Sequence, residues 1–123
     1  MQQALSDARG RPFVDILSDD VLQPVGMVNS AFEQPLGPQR DRNAARAHDG
    51  AGRSRGPQWH AYPELAAAGL WTTPTDLARF AMEVQKSATG ASNRVLSRTT
   101  VQAMLSPVGV GDFGVGFEMS RMG

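Results

Sequence analysis

Apolar residues recur at helical spacing in four separate stretches, and the pattern disappears between the second and the third. Residues 2–9 read as a short helix with Ala4, Leu5 and Ala8 on one face, stopped by Gly10 at the position where a left-handed residue closes a helix. Pro12 suits the first turn of a second helix, because the N–H it lacks would be unpaired there anyway. Phe13, Ile16, Leu17 and Val21 form its apolar stripe, and Pro24 and Gly26 end it. Asp15, Asp19 and Asp20 fall mostly on the other side and read as a solvated face, since no glycine-punctuated oxygen-ligand loop accompanies them. A third helix starts at Thr73-Pro74-Thr75-Asp76, with Thr73 as N-cap, Pro74 at the first position and Asp76 reaching back to the cap. Leu77, Phe80, Ala81 and Val84 then give an i, i+3, i+4, i+7 stripe that fades by Ala88 to Gly90. Ser97 caps a fourth helix, with Val101, Met104 and Leu105 inward and Pro107 as stop.

The last element changes period. Phe113, Val115, Phe117 and Met119 alternate with Gly114, Gly116 and Glu118, which predicts one strand over 113–119. No second segment reads as a strand, so its backbone groups lack partners within the chain. The expected partner is a complementary chain or a second copy, joined through 113–119. The pattern as a whole predicts a mainly α chain with a long irregular loop and one C-terminal strand. Residues 1–123 then make a single, partial domain.

Residues 27–70 carry no sustained period of either kind. Within them, 38–58 hold five Arg (40, 42, 46, 53 and 55) against two Asp (41 and 49), with Gly50, Gly52 and Gly56 between. This composition predicts a mobile Arg/Gly surface loop over 38–58.

Net charge over the 123 residues is zero, which excludes the basic footprint of a general nucleic-acid binder. There is no Cys, hence no disulfide and no thiolate metal site. The longest apolar run, Leu65 to Trp71, is seven residues, against the roughly 20 a membrane-spanning helix needs. The opening MQQALSDARG lacks the basic-then-apolar pattern of a secretory signal, and the compartment stays open.

Candidate chemistry is sparse. Gly52-Arg53-Ser54-Arg55-Gly56 matches G-x-S-x-G by letter, but a nucleophile elbow needs an apolar strand before it and a helix after it, and neither is present. His48 and His60 stand 12 residues apart with no further ligands at fixed spacing, so no metal site is expected. Trp59-His60-Ala61-Tyr62-Pro63-Glu64 is the densest aromatic and polar cluster. It suits either the wall of a cleft or an aromatic anchor for the returning loop.

The stretch from Tyr62 to Phe80, YPELAAAGLWTTPTDLARF, resembles a segment of the serine β-lactamase-related family: class C β-lactamases, D,D-peptidases, D-aminopeptidases and some esterases. Gly10-Arg11-Pro12-Phe13 with Val21-Leu22-Gln23-Pro24-Val25-Gly26-Met27 resembles the family's helix ending in a Pro-Leu-Gly-Met-like turn, Val25 standing where Leu is usual. Val95-Leu96-Ser97, Met104-Leu105-Ser106-Pro107 and Phe113-Gly114-Val115-Gly116-Phe117 match in the family's order.

The resemblance implies a piece of an α+β, penicillin-binding-protein-like fold whose parent activity is hydrolysis of a lactam, peptide or ester through an acyl-serine, without cofactor. The family's chemistry uses Ser-x-x-Lys, Tyr-x-Asn and a Lys/His-x-Gly on a strand, and this sequence departs from all three. The only lysine, Lys86, follows Glu83 by three; the only tyrosine, Tyr62, precedes Pro63-Glu64; His48-Asp49-Gly50 lies in the Arg/Gly loop. The expectation is therefore a fragment or pseudoenzyme between the second and third motifs, with no catalytic residue of its own. Its expected cleft-wall residues are Trp59, Tyr62, Gly69 and Leu70. Family members are often exported. A different class of function, a non-catalytic module binding a partner through its strand and aromatic patch, also fits the sequence.

Little burial offsets the entropy of ordering 38–58. Limited trypsin digestion should therefore cut first at Arg40, Arg42, Arg46, Arg53 or Arg55. Earliest cleavage at Arg79 or Lys86 would place the mobile segment elsewhere.

Overall fold

A computed structural model describes residues 1–56 and 59–119. Helices α1 (Gln2–Arg9), α2 (Phe13–Leu17), α3 (Gln23–Val25), α4 (Pro38–Asp41), α5 (Leu65–Ala68), α6 (Pro74–Thr89) and α7 (Arg98–Met104) account for nearly all its regular structure. Among the described residues β pairing is limited to isolated bridges, so the chain is mainly helical with almost no strand.

Helix α1 closes on Gly10 at φ 61°, as its sequence predicts. Arg9 and Arg11 then pair with Asp20 and Asp19, so part of the acidic face is covered by surface ion pairs. The second predicted helix is one rod, but Ser18–Leu22 between α2 and α3 is π-helical. Pro24 explains this. It has no N–H for the carbonyl of Asp20, and its ring would collide with that carbonyl in a straight α-helix. A wider bond forms instead, from the Gln23 N–H to Ser18 O, while the Met27 N–H to Leu22 O bond at 2.9 Å belongs to the glycine cap at Gly26. The inserted residue rotates the buried face. Phe13 and Ile16 are buried as expected, Leu17 and Val21 only half-buried, and Leu22 and Val25 take the inward positions. Gly26 ends the rod at φ 78°.

Leu22, Val25 and Met27 form the centre of the core, with Phe32, Phe80 and Val95 against it. Phe13 meets Phe32 edge-on at 5.3 Å. Helix α3 packs on α6, and α6 on α7.

Helix α6 starts with the predicted Thr73 cap, whose hydroxyl accepts the Asp76 N–H at 3.2 Å. The reciprocal half of the capping box is absent. The Asp76 carboxylate, 0 % exposed, turns away from the cap and accepts the Ser30 hydroxyl at 2.9 Å, the Asn29 N–H at 2.8 Å and Arg79 Nη1 at 2.7 Å. Arg79 also donates to the carbonyl of Gly26 at 3.0 Å, satisfying the end of α3. These bonds set which face of α6 turns inward. Asp76, Glu83, Val84 and Ser87 are buried, whereas the predicted stripe residues Leu77 and Ala81 are exposed. The end at Gly90 (φ 81°) and the Ser97 cap with buried Val101 agree with the sequence.

The described part of 38–58 holds α4 and a tight reversal in which Asp49 N–H donates to Arg53 O and Arg55 N–H to Ala47 O. One expectation changes: the strand over 113–119 does not form. The segment folds back on itself, with one bridge between Phe113 and Glu118, the Gly114 N–H on Phe117 O, and Gly116 at φ 82°. The Val115 N–H donates to Met104 O at 2.8 Å. A Cβ on Gly114 would lie 2.2 Å from that same carbonyl, so only glycine allows the approach. Alternation alone cannot make a strand without a neighbour; glycine at two positions lets the segment pair locally instead.

Burial alone would raise the Asp76 carboxyl, but the Ser30, Asn29 and Arg79 bonds outweigh it and hold it below the usual carboxylate value. A depressed folded value stabilises the protein above the unfolded value, near ~3.9, and that stabilisation is lost as pH falls through the folded value. Asp76→Ala should cost about 3 kcal/mol in urea unfolding at neutral pH, because it leaves the Ser30 and Asn29 donors unpaired. Wild-type stability should drop from about pH 4 downward, and this drop should shrink in Asp76→Asn. A variant as stable as wild type would remove Asp76 from this role.

Candidate functional site

An open pocket of about 560 Å³ lies between the 38–58 segment and the chain returning toward α6. Trp71 is fixed at its base by paired backbone bonds with Ala31, at 2.8 and 2.9 Å. Trp59 stands edge-on to Trp71, ring centroids 5.0 Å apart. The Arg46 guanidinium lies 4.6 Å above the Trp59 ring. Arg46 also binds the Asp41 carboxylate at the end of α4 and, at 3.3 Å, the Asp41 carbonyl. Gln34 ties the far side together, its amide donating to Ala68 O at 3.2 Å and its carbonyl accepting the Tyr62 N–H.

Trp59, Tyr62 and Leu70 thus share one pocket. His60 lines it too, its ring 6.1 Å from Tyr62. Gly69 does not line it. It is buried at the end of α5, and a Cβ there would lie 2.6 Å from Leu65 Cα. Its part is to let the chain turn tightly ahead of Leu70 and Trp71. Arg46, Gln34 and Trp71 are pocket residues the sequence reading passed over. Arg46 was indistinguishable from other loop arginines, and Gln34 sits in a stretch with no pattern. Trp71 carried a signal, being an aromatic beside the Thr73 cap.

Among the described residues that line the pocket there is no Ser, Thr or Cys. Ser54 of the G-x-S-x-G match sits on the exposed reversal, bridged to His48, and its hydroxyl accepts the Gly56 N–H at 3.3 Å. His48 Nδ1 lies 2.9 Å from Arg46 O. Asp49 in the same turn is held low by the backbone N–H and side chain of Arg53, and then by the Ala51 N–H. Ser30 is engaged by Asp76 and Thr72, and Ser92 donates to the buried Glu83. Among the described residues no group of three or more His, Cys, Asp or Glu could hold a metal ion, and no helix is long and apolar enough to cross a membrane.

No curated protein matches the chain. A family model described as Beta-lactamase does match it, over residues 1–123. The match spans the helical scaffold, the pocket and the segments whose residues carry the resemblance, and the chain belongs to the Beta-lactamase family.

Proposed function

We propose that this chain forms the helical scaffold and one cleft wall of a serine hydrolase. The parent reaction is acyl transfer from a lactam, peptide or ester to water through an acyl-serine. What supports this reading is the family match along the whole chain together with the convergence of Trp59, Tyr62 and Leu70 on one pocket. In that role the aromatic wall packs against the acyl donor and excludes water, while Gly69 and the Ala31–Trp71 bridge hold the wall in place. The nucleophile and its base come from sequence other than these 123 residues. A serine hydroxyl is too weak a nucleophile without a base in hydrogen-bond reach; among the described residues Ser30 and Ser92 are engaged by buried carboxylates and Ser54 is exposed.

The 123-residue chain by itself should hydrolyse neither a chromogenic cephalosporin nor a p-nitrophenyl ester faster than a heat-denatured control. A fluorescent penicillin should label none of its serines. Stoichiometric labelling, at Ser54 or elsewhere, would overturn the inactive-scaffold reading.

A second reading is favoured by the apolar surface near α7. Val108, Val110, Phe113 and Val115 are all more than half exposed, within eight residues of one another. Such a patch suits self-association with a second copy of this chain. Sedimentation velocity should show wild type dimerising with concentration and Phe113→Lys/Val115→Lys remaining monomeric with unchanged circular dichroism. A wild type that stays monomeric at every concentration would end this reading.

A further inference from the structure

A separate pocket of about 580 Å³ lies between the turn after α3, helix α4 and the start of α6. It shares only Ala45 and Trp71 with the aromatic pocket described above. Three side-chain amides converge on it: Asn29 from the turn after α3, Gln39 from α4 and Asn43 just beyond α4. Two of the chain's three asparagines therefore meet in one place. Their backbones are fixed. The Asn29 N–H donates to the buried Asp76 carboxylate at 2.8 Å, and the Asn43 N–H donates to Arg40 O at 3.0 Å. Gln39 lies on α4, which Arg46 tethers through Asp41. Among the described residues no hydrogen bond engages any of the three side-chain amides, and all three residues are exposed. The pocket is also electrically quiet. Among the described residues no carboxylate lines it, and its one charged group, Arg40, stands 3.6 Å from Glu33. Trp71, Leu36 and Pro74 add an apolar part beside the amides.

We infer that this second pocket binds a neutral pyranose sugar, with the amides of Asn29, Gln39 and Asn43 on its hydroxyls and Trp71 and Pro74 against its C–H face. A sugar hydroxyl both donates and accepts, and neighbouring hydroxyls on one ring repeat that demand at short spacing. A side-chain amide carries an NH₂ donor and a carbonyl acceptor and meets both halves of it; a charged side chain meets only one. The C–H face of the ring is apolar and is covered by an aromatic or aliphatic wall. A cation would meet no carboxylate here, and an anion only Arg40, which Glu33 shares. A peptide main chain also offers donors and acceptors, but strung along a line, whereas these three amides line one compact space. Its volume falls inside the range of about 300–1,000 Å³ usual for small-ligand sites. With the backbones already held, binding orders little beyond the side chains, which keeps its entropic cost low. The inference does not depend on the aromatic wall's belonging to a hydrolase cleft.

The full chain is titrated by isothermal calorimetry with cellobiose, with maltose and with the neutral peptide acetyl-glycyl-glycine amide. At least one disaccharide should give a saturable isotherm, accompanied by a change in tryptophan fluorescence because Trp71 lines the pocket. The peptide should give neither. Asn29 and Asn43 are exposed, so Asn29→Ala and Asn43→Ala should keep the circular dichroism spectrum. Each should weaken the disaccharide about tenfold, the loss expected for a group that both donates and accepts. Failure of both disaccharides to bind would overturn the inference, as would a peptide that binds as tightly as the better sugar. A disaccharide affinity unchanged in both variants would place the sugar outside this pocket and overturn it equally.

Discussion

The fold depends on one buried carboxylate. Asp76 lies in the first turn of α6 and takes hydrogen bonds from Asn29 and Ser30, 47 and 46 residues earlier in the chain. Arg79, one turn on, reaches from the same carboxylate to the carbonyl that ends α3. Two segments distant in sequence are thereby locked in a single register. Leaving water costs an ionised carboxylate heavily, so this geometry persists only because each donor is in place. It also explains why α6 turns Asp76 and Val84 inward and leaves Leu77 in solvent.

The same hub positions the pocket. Ser30 shares its hydroxyl between Asp76 and Thr72, and the adjoining residues Ala31 and Trp71 exchange both backbone hydrogen bonds. Trp71 sets the angle of Trp59, Trp59 supports Arg46, and Arg46 is tethered to Asp41 on α4. The irregular middle of the chain is thus attached to the helical core through side chains rather than through a sheet. A binding wall assembled this way can be stiff at Trp71 and more adaptable toward the reversal at 47–55, where exposed groups hold each other locally.

Membership of the Beta-lactamase family and the absence of its three motifs from these residues fit together physically. Scaffold positions are constrained by packing all along the chain, while the reacting groups are few and converge from separate places. Scaffold residues can therefore carry a family match without the reacting groups. Among the described residues the surface holds an aromatic pocket that arginines also line, and exposed apolar residues beside α7.

Local signals were legible in the sequence. The ends of α1 and α6 follow from Gly10 and Gly90, and the starts of α6 and α7 from Thr73 and Ser97. Each of these depends on residues a few positions apart, whose bonds the chain makes in any context. Tertiary structure decided the rest. Pro24 shifted a helical face from Val21 to Leu22 by forcing a wider turn, Asp76 left its own cap for Ser30, and Arg46 became distinct from other loop arginines only when Trp59 came to lie beneath it. The segment 113–119 had the alternation of a strand, but a strand exists only with a neighbour, and glycine let this one turn back instead. Periodicity along a chain records which positions prefer to be buried; which partner buries them, and which polar group goes with them, is settled by residues tens of positions away.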